Sequence, residues 1–155
     1  MNKKVKTSLI IIGVIIGLLF FWYLASPLFL NKVVDEEFPM GTGNNSDVLE
    51  SMVLHEGDFM DADSFHKTSG NVQILSDSEN TYIRFEDFET TNGPDLYVYL
   101  AEDLNADSFV DLGKLKGNIG NQNYEINEEV DFSDYNYVLI WCKRFSVLFG
   151  SAEIK

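Results

Sequence analysis

The chain is poor in cysteine, histidine and positive charge, and each shortage closes off a class of protein. One cysteine, Cys142, among 155 residues excludes an intramolecular disulfide framework and every metal site built from several thiolates. No Cys-x-x-Cys-His occurs, so a c-type haem has no attachment point. Three prolines and 11 glycines accompany the lack of any internal repeat or low-complexity tract. No Gly-x-Ser-x-Gly elbow, no His-Glu-x-x-His and no glycine-rich loop ahead of a helix is present, which argues against a conventional hydrolase or kinase. Acids are missing from the first 34 residues, and Lys3, Lys4 and Lys6 sit at the start. From Asn31 onward the balance reverses, to 8 Lys+Arg against 25 Asp+Glu and a formal charge of −17. Such a surface repels phosphate backbones and excludes nucleic acid as a partner.

What the chain does have is ordinary globular composition, with 45% apolar and 23% charged residues, and a high aromatic share of 14%. From Ser8 to Leu30 run 23 residues without a charge. As a helix this run reaches about 34 Å, enough to cross a hydrocarbon core of about 30 Å. It is apolar on every side, and Trp22 and Tyr23 lie towards its outer end, where amphipathic rings favour the interface. Pro27 falls in the last turns, where a kink is tolerated. Cleavage as a signal peptide would place Tyr23 or Leu24 at the −3 position, where a small residue is needed. The run therefore reads as an uncleaved signal anchor in the cell membrane. With lysines before it and Asp35, Glu36 and Glu37 after it, the positive-inside rule puts residues 1–7 in the cytoplasm and the C-terminal domain outside.

Residues 31–47, NKVVDEEFPMGTGNNSD, mix acids, proline and glycine without apolar periodicity and read as a tether. It contains an N-glycosylation sequon at Asn44. Residues 48–155 show alternation of period two. Tyr82, Arg84 and Glu86 alternate with Ile83 and Phe85; Leu96, Val98 and Leu100 with Tyr97 and Tyr99; Tyr137, Leu139 and Trp141 with Val138, Ile140 and Cys142. Phe145, Val147 and Phe149 would share a face of a last strand that ends or bends near Gly150. Weaker strands are expected at 51–59, 71–75 and 122–126. Short strands separated by Gly, Asn and Asp clusters predict an all-β outer domain, an antiparallel β-sandwich or small barrel.

Among residues that could carry chemistry, Cys142 comes first. Its place beside Val138 and Ile140, with Arg144 two residues on, admits two readings. One is a redox thiol, or a haem or metal ligand, with Arg144 favouring the thiolate; the other is a small buried hydrophobe. His55 and His66 are the only histidines, and His66 with Met60 could serve a b-type haem, although no spacing demands it. Asp103-x-Asn105-x-Asp107 starts like a calcium loop, but Ser108 replaces the required glycine and Lys114 the bidentate acid. Asp58, Asp61 and Asp63 could gather one ion; the alternative is a solvated acidic surface.

Several blocks in order then resemble one family: Gly57-Asp-Phe59, Asp63-Ser-Phe-His66, Thr68-Ser-Gly70, Ile83-Arg-Phe-Glu86, Asn92 to Leu100, Phe109 to Gly113, Leu115-Lys-Gly117, Gly120 to Tyr124, and Val138 to Ala152. The outer domain is similar to the DM-thirteen domain along nearly its whole length. That resemblance implies an extracytoplasmic β domain acting in electron transfer. The family's cysteine, suggested to work as a bare thiol or through a group such as haem, falls on Cys142. His66 and Asp95 also sit in family motifs. In animal proteins the domain accompanies DOMON domains and membrane b-type cytochromes, so this chain would need a separate redox partner protein. The expectation is a single-pass redox or electron-transfer accessory centred on Cys142. The alternative is a non-catalytic cell-surface module that binds a protein, a glycan or a metal ion. A sealed Cys142 would favour the second.

Overall fold

The computed structural model describes residues 3–26, 30–39, 52–76, 80–127 and 129–155. The chain forms two compact units, Met1–Leu30 and Asn31–Lys155. The first is a helix, α1 (Lys3–Ala25). Its apolar side chains are exposed all round, from Val5 to Tyr23, and the stretch Lys4–Tyr23 has a mean hydropathy of 2.3. A helix with no polar stripe and no protein to cover it is long and apolar enough to cross a membrane. It starts five residues earlier and stops five earlier than the run 8–30. Its stop agrees with the bias of a residue before proline against helical backbone. Pro27 itself lies outside the described residues, as does the sequon at Asn44.

The second unit is all-β, eight antiparallel strands: β1 (Met52–Asp61), β2 (Thr68–Ser76), β3 (Thr81–Thr90), β4 (Leu96–Ala101), β5 (Phe109–Lys114), β6 (Gln122–Ile126), β7 (Tyr137–Cys142) and β8 (Val147–Glu153). Their order is β5-β4-β7-β8-β1-β2-β3-β6. β1 is shared: its first part pairs with β2 and its last residues, Phe59 to Asp61, pair with β8. The result is a nearly closed sandwich that wraps one core. Inward residues of both halves meet there, with Phe85 against Phe59 and Phe88 at ring distances of 4.9 Å.

The strands found match the alternation, with two differences. β5 adds a strand to the seven expected. The last strand begins only at Val147 and runs through Gly150 to Glu153, leaving Phe145 in an exposed turn. The register shifts opposite Ile140 and Trp141, where Phe149 is the extra residue of β8, and this bulge lets the chain pass Gly150 without a break. Gly150 is required there, because a Cβ would fall on the Thr68 side chain.

The stretch 31–47 differs from a free tether. Its described part, up to Pro39, is strapped onto the β unit. Val34 N donates to Ile119 O at 2.9 Å and Glu36 N to Asn121 O at 2.9 Å. Arg84 Nη1 donates to Glu36 O at 2.7 Å, Glu37 O at 3.3 Å and Asn123 Oδ1 at 3.0 Å. This strap explains why Arg84, on the face that alternation assigns to solvent, is only 5% exposed. Partial burial pushes the Glu36 carboxyl up. Bonds from Lys116 Nζ, 2.9 Å from both oxygens, and from Asn123 N at 2.8 Å outweigh this and hold it below the usual range.

Candidate functional site

The register places one end of the sandwich at the β1–β2 turn, the β3–β4 turn, the β5–β6 connection and the β7–β8 turn. All four candidate residues gather at this end, although 76 positions separate His66 from Cys142 in the chain. Cys142 closes β7 opposite Leu96 of β4 and Val147 of β8. Asp95 precedes Leu96, and its carbonyl accepts from Lys143 N at 3.0 Å. Arg144 lies in the β7–β8 turn. His66 ends the β1–β2 turn with its ring 4.2 Å from that of Phe149 on β8.

Proximity does not join them into one constellation. Cys142 has no exposed surface and belongs to the same core cluster as Val138, Ile140, Leu96 and Phe149. Arg144 is exposed, because the strand ends at Cys142 and the turn carries Arg144 off the shared face. The thiolate-favouring pair expected between them is not formed. Asp95 faces Lys114 at 3.5 Å. His66 Nδ1 lies 2.7 Å from Asp63 Oδ2. Asp63 Oδ1 accepts from the backbone N of Phe65 and His66 at 2.7 and 2.8 Å. The His66 bond, then these two amides, lower the Asp63 pKa to about 2. His66 thus has an oriented ring, and Asp63 is committed to holding it.

An iron on Cys142 does not fit this packing. A thiolate ligand needs an open face on sulfur, and the Cys142 side chain is enclosed by strand side chains on every side. Two clefts lie elsewhere, and neither is lined by Cys142 or His66. The first, about 250 Å³, opens at the same end between Asp61, Lys67, Thr68, Thr90, Asn92 and Asn118. Its buried hydroxyls are satisfied: Thr68 Oγ1 meets Thr90 Oγ1 at 2.7 Å and donates to Phe149 O at 3.0 Å. The second, about 720 Å³ and shallow, lies at the opposite end beside His55 and Phe132. His55 packs on the Phe132 ring at 5.2 Å.

Among the described residues no group of three or more His, Cys, Asp or Glu could hold a metal ion. The suggested trio is spread over separate bonds: Asp58 takes Asn71 Nδ2 at 3.2 Å, Asp61 pairs with Lys67 at 2.7 Å, and Asp63 holds His66.

Sequence reasoning passed over a second apolar cluster, on the outer side of β4, β5, β7 and β8, with Tyr99, Ala101 and Leu139 buried at its centre. Pairing of Tyr97 with Trp141, and of Ala101 with Tyr137, puts their side chains on one face around Tyr99 and Leu139. Tyr99 stacks on Phe109 at 4.2 Å and lies 6.5 Å from Trp141. Burial, then Asp111, raises the Tyr99 pKa. Lys143 Nζ sits 4.5 Å from the Tyr97 ring and 3.0 Å from Asp111, whose bond raises its pKa. The signal was in the alternation: the residues out of phase with the core are Tyr, Tyr, Tyr and Trp, where a water-facing strand would carry polar side chains.

A family model described as "Electron transfer DM13" matches residues 59–154, from the last residues of β1 to just past the end of β8. No curated protein and no solved structure matches the chain.

Proposed function

The chain belongs to the DM13 family, and from that membership we propose that it is a membrane-anchored, extracytoplasmic electron-transfer module whose redox group is Cys142. The observation that carries this is the family match, which spans seven whole strands and includes the one cysteine. The helix Lys3–Ala25 supplies the anchor, with the N-terminus cytoplasmic and the β unit outside.

The packing restricts the mechanism. Thiol–disulfide exchange needs a second sulfur in line with Sγ, and a side chain without exposed surface offers no such approach. What suits an enclosed thiol is transfer of one electron through the protein to a one-electron acceptor, such as the haem iron of a separate partner. The thiol then passes one electron to the acceptor, which is reduced by one, and releases one proton to water through local opening of the strand end, becoming a thiyl radical. Trp141 adjoins Cys142 in the chain and lies on the outer aromatic face, so its ring is the nearest aromatic relay along β7.

The second reading, a non-catalytic binding module, is favoured by the same burial, which makes Cys142 an ordinary core residue. One experiment separates the two. The full chain in detergent is titrated with a one-electron oxidant, hexachloroiridate(IV), and freeze-quenched for paramagnetic resonance, beside Cys142→Ala. A radical signal and oxidant consumption that fall in the variant support electron transfer at Cys142. Equal consumption and equal spectra overturn it and leave the binding module.

A further inference from the structure

The cleft at Asp61 and Thr68 differs from an ordinary small-molecule pocket, because no apolar residue lines it. All ten lining residues are Asn, Asp, Glu, Lys, Ser or Thr. Pockets for apolar ligands reverse that balance, with a few polar groups in a hydrophobic wall. At about 250 Å³ the cleft is smaller than the roughly 300–1,000 Å³ of drug-sized sites, and it holds one ring-sized molecule. Its buried part is fixed by bonds within the protein. Thr68 and Thr90 are held as described above, Asn118 Oδ1 accepts from Lys32 N at 2.6 Å, and Asn118 Nδ2 reaches Thr90 O at 3.4 Å.

The bonding capacity left open comes as donor beside acceptor. Asn31 Oδ1 accepts from Asn92 Nδ2 at 2.8 Å and from Asn118 Nδ2 at 3.1 Å. Asn31 therefore keeps both Nδ2 hydrogens, and its bonded neighbour Asn92 keeps its Oδ1. Lys67 Nζ gives one hydrogen to Asp61 Oδ2 at 2.7 Å and retains two. Asp61 Oδ1 accepts from Thr68 N at 2.9 Å, so each carboxylate oxygen still has a lone pair. Ser69 and Glu89, paired across β2 and β3, add a hydroxyl and a carboxylate that bond to no other side chain among the described residues. The lining thus carries two acids and one base. Of the acids near it, Asp63 holds His66 and Asp35 accepts from Asn121 Nδ2 at 2.8 Å.

This pattern selects a ligand class. An anion would meet two carboxylates for one ammonium, and a zwitterion needs its donors and acceptors apart. A hydroxyl both donates and accepts, so vicinal hydroxyls match a donor beside an acceptor and leave neither unpaired. Phe65 adjoins the cleft: its carbonyl accepts from Oγ1 of the lining residue Thr91 at 3.4 Å, and the residue is 82% exposed. The negative face of an exposed aromatic ring suits the C–H face of a sugar ring. We propose that the cleft is a carbohydrate-binding site that takes one neutral sugar unit, with vicinal hydroxyls on the Asn31–Asn92 and Asp61–Lys67 pairs and a C–H face on Phe65. Cys142 does not line the cleft, so the site is independent of any electron transfer at that thiol. The sugar displaces water that already bonds these groups, which sets a modest affinity, a Kd of about 0.1–10 mM.

The test titrates the full chain, in phosphocholine micelles free of glycosidic detergent, with the methyl glycosides of glucose, galactose, mannose and N-acetylglucosamine, followed by amide NMR. The expected result is saturable shifts with at least one glycoside at the backbone amides of Ser69, Thr91 and Asn92 and at the Asn31 side-chain amide, and none with glucuronate or glycine. Lys67→Met and Phe65→Ala, both at exposed positions, should keep the parent melting midpoint and weaken binding severalfold. No saturable shift with any glycoside up to about 100 mM would overturn the site. So would shifts confined to other residues, or binding that both variants leave unchanged. Glucuronate or glycine binding as tightly as the glycosides would overturn the ligand class.

Discussion

The burial of Cys142 yields a quantitative prediction about a thiol that the family makes the natural suspect. Cys142→Ser replaces sulfur by a hydroxyl among Val138, Ile140, Leu96 and Phe149, on a strand whose backbone groups are committed to the ladders with β4 and β8. A hydroxyl buried without a partner costs about 1–3 kcal/mol, on top of the lost apolar transfer of the sulfur. Cys142→Ala loses only that transfer and a small void, about 1 kcal/mol. For a domain of this size each kcal/mol moves the melting midpoint by about 4 °C. The serine variant should therefore melt about 8–16 °C below the parent and the alanine variant about 4 °C below. Alongside, a thiol reagent should modify the folded parent only through opening. An opening free energy of about 4 kcal/mol slows the reaction by about 10³ relative to the denatured chain. Calorimetry on the full chain in detergent and timed thiol titration with and without denaturant check both numbers. A serine variant as stable as the parent, or a folded thiol that reacts within tenfold of the denatured rate, would refute the enclosed site and reopen thiol exchange.

Other consequences follow from the turn and the strap. Asp63 titrates near 2 in the folded chain against 3.8 for the free side chain, so the stability it contributes is complete above pH 4 and lost as pH falls towards 2. Melting midpoints of Asp63→Asn and parent should diverge above pH 4 and converge at pH 2; a constant difference would sink the assignment. At the strap, Lys116→Met should cost under about 1 kcal/mol, since that ion pair is partly exposed. Arg84→Met strips the bonds to Glu36 O and Glu37 O and should cost about 1–3 kcal/mol. It should also speed hydrogen exchange at the amides of Val34 and Glu36, and the reverse order of the two variants would contradict the strap.

Much of the β architecture was legible because burial on one face writes itself as period two, as in Ile83-Arg84-Phe85 and Val138 to Cys142. Where two-sided rules failed, a third element intervened. Arg84 reads as a solvent residue, and no local pattern announces that backbone carbonyls 47 and 48 positions away will cover it. β5 escaped because an edge strand packs on one side only and its alternation is broken by Gly113 at φ 99°. For the site, the enclosure of Cys142 was readable from its phase with Val138 and Ile140. The loss of Arg144 was not, since a turn that starts one residue earlier moves a side chain from the shared face into water. The Asp63–His66 pair had only its i, i+3 spacing to mark it, which becomes a bond when the turn tightens.

An enclosed Cys142 needs a route through the protein to its acceptor, and the outer aromatic side of the sandwich offers one: Trp141, next to Cys142 on β7, lies there with Tyr97 paired across from it on β4. Trp141→Phe keeps an aromatic ring but removes the more readily oxidised indole, so it should slow one-electron oxidation of Cys142 by hexachloroiridate(IV) severalfold; an unchanged rate would remove Trp141 from the path.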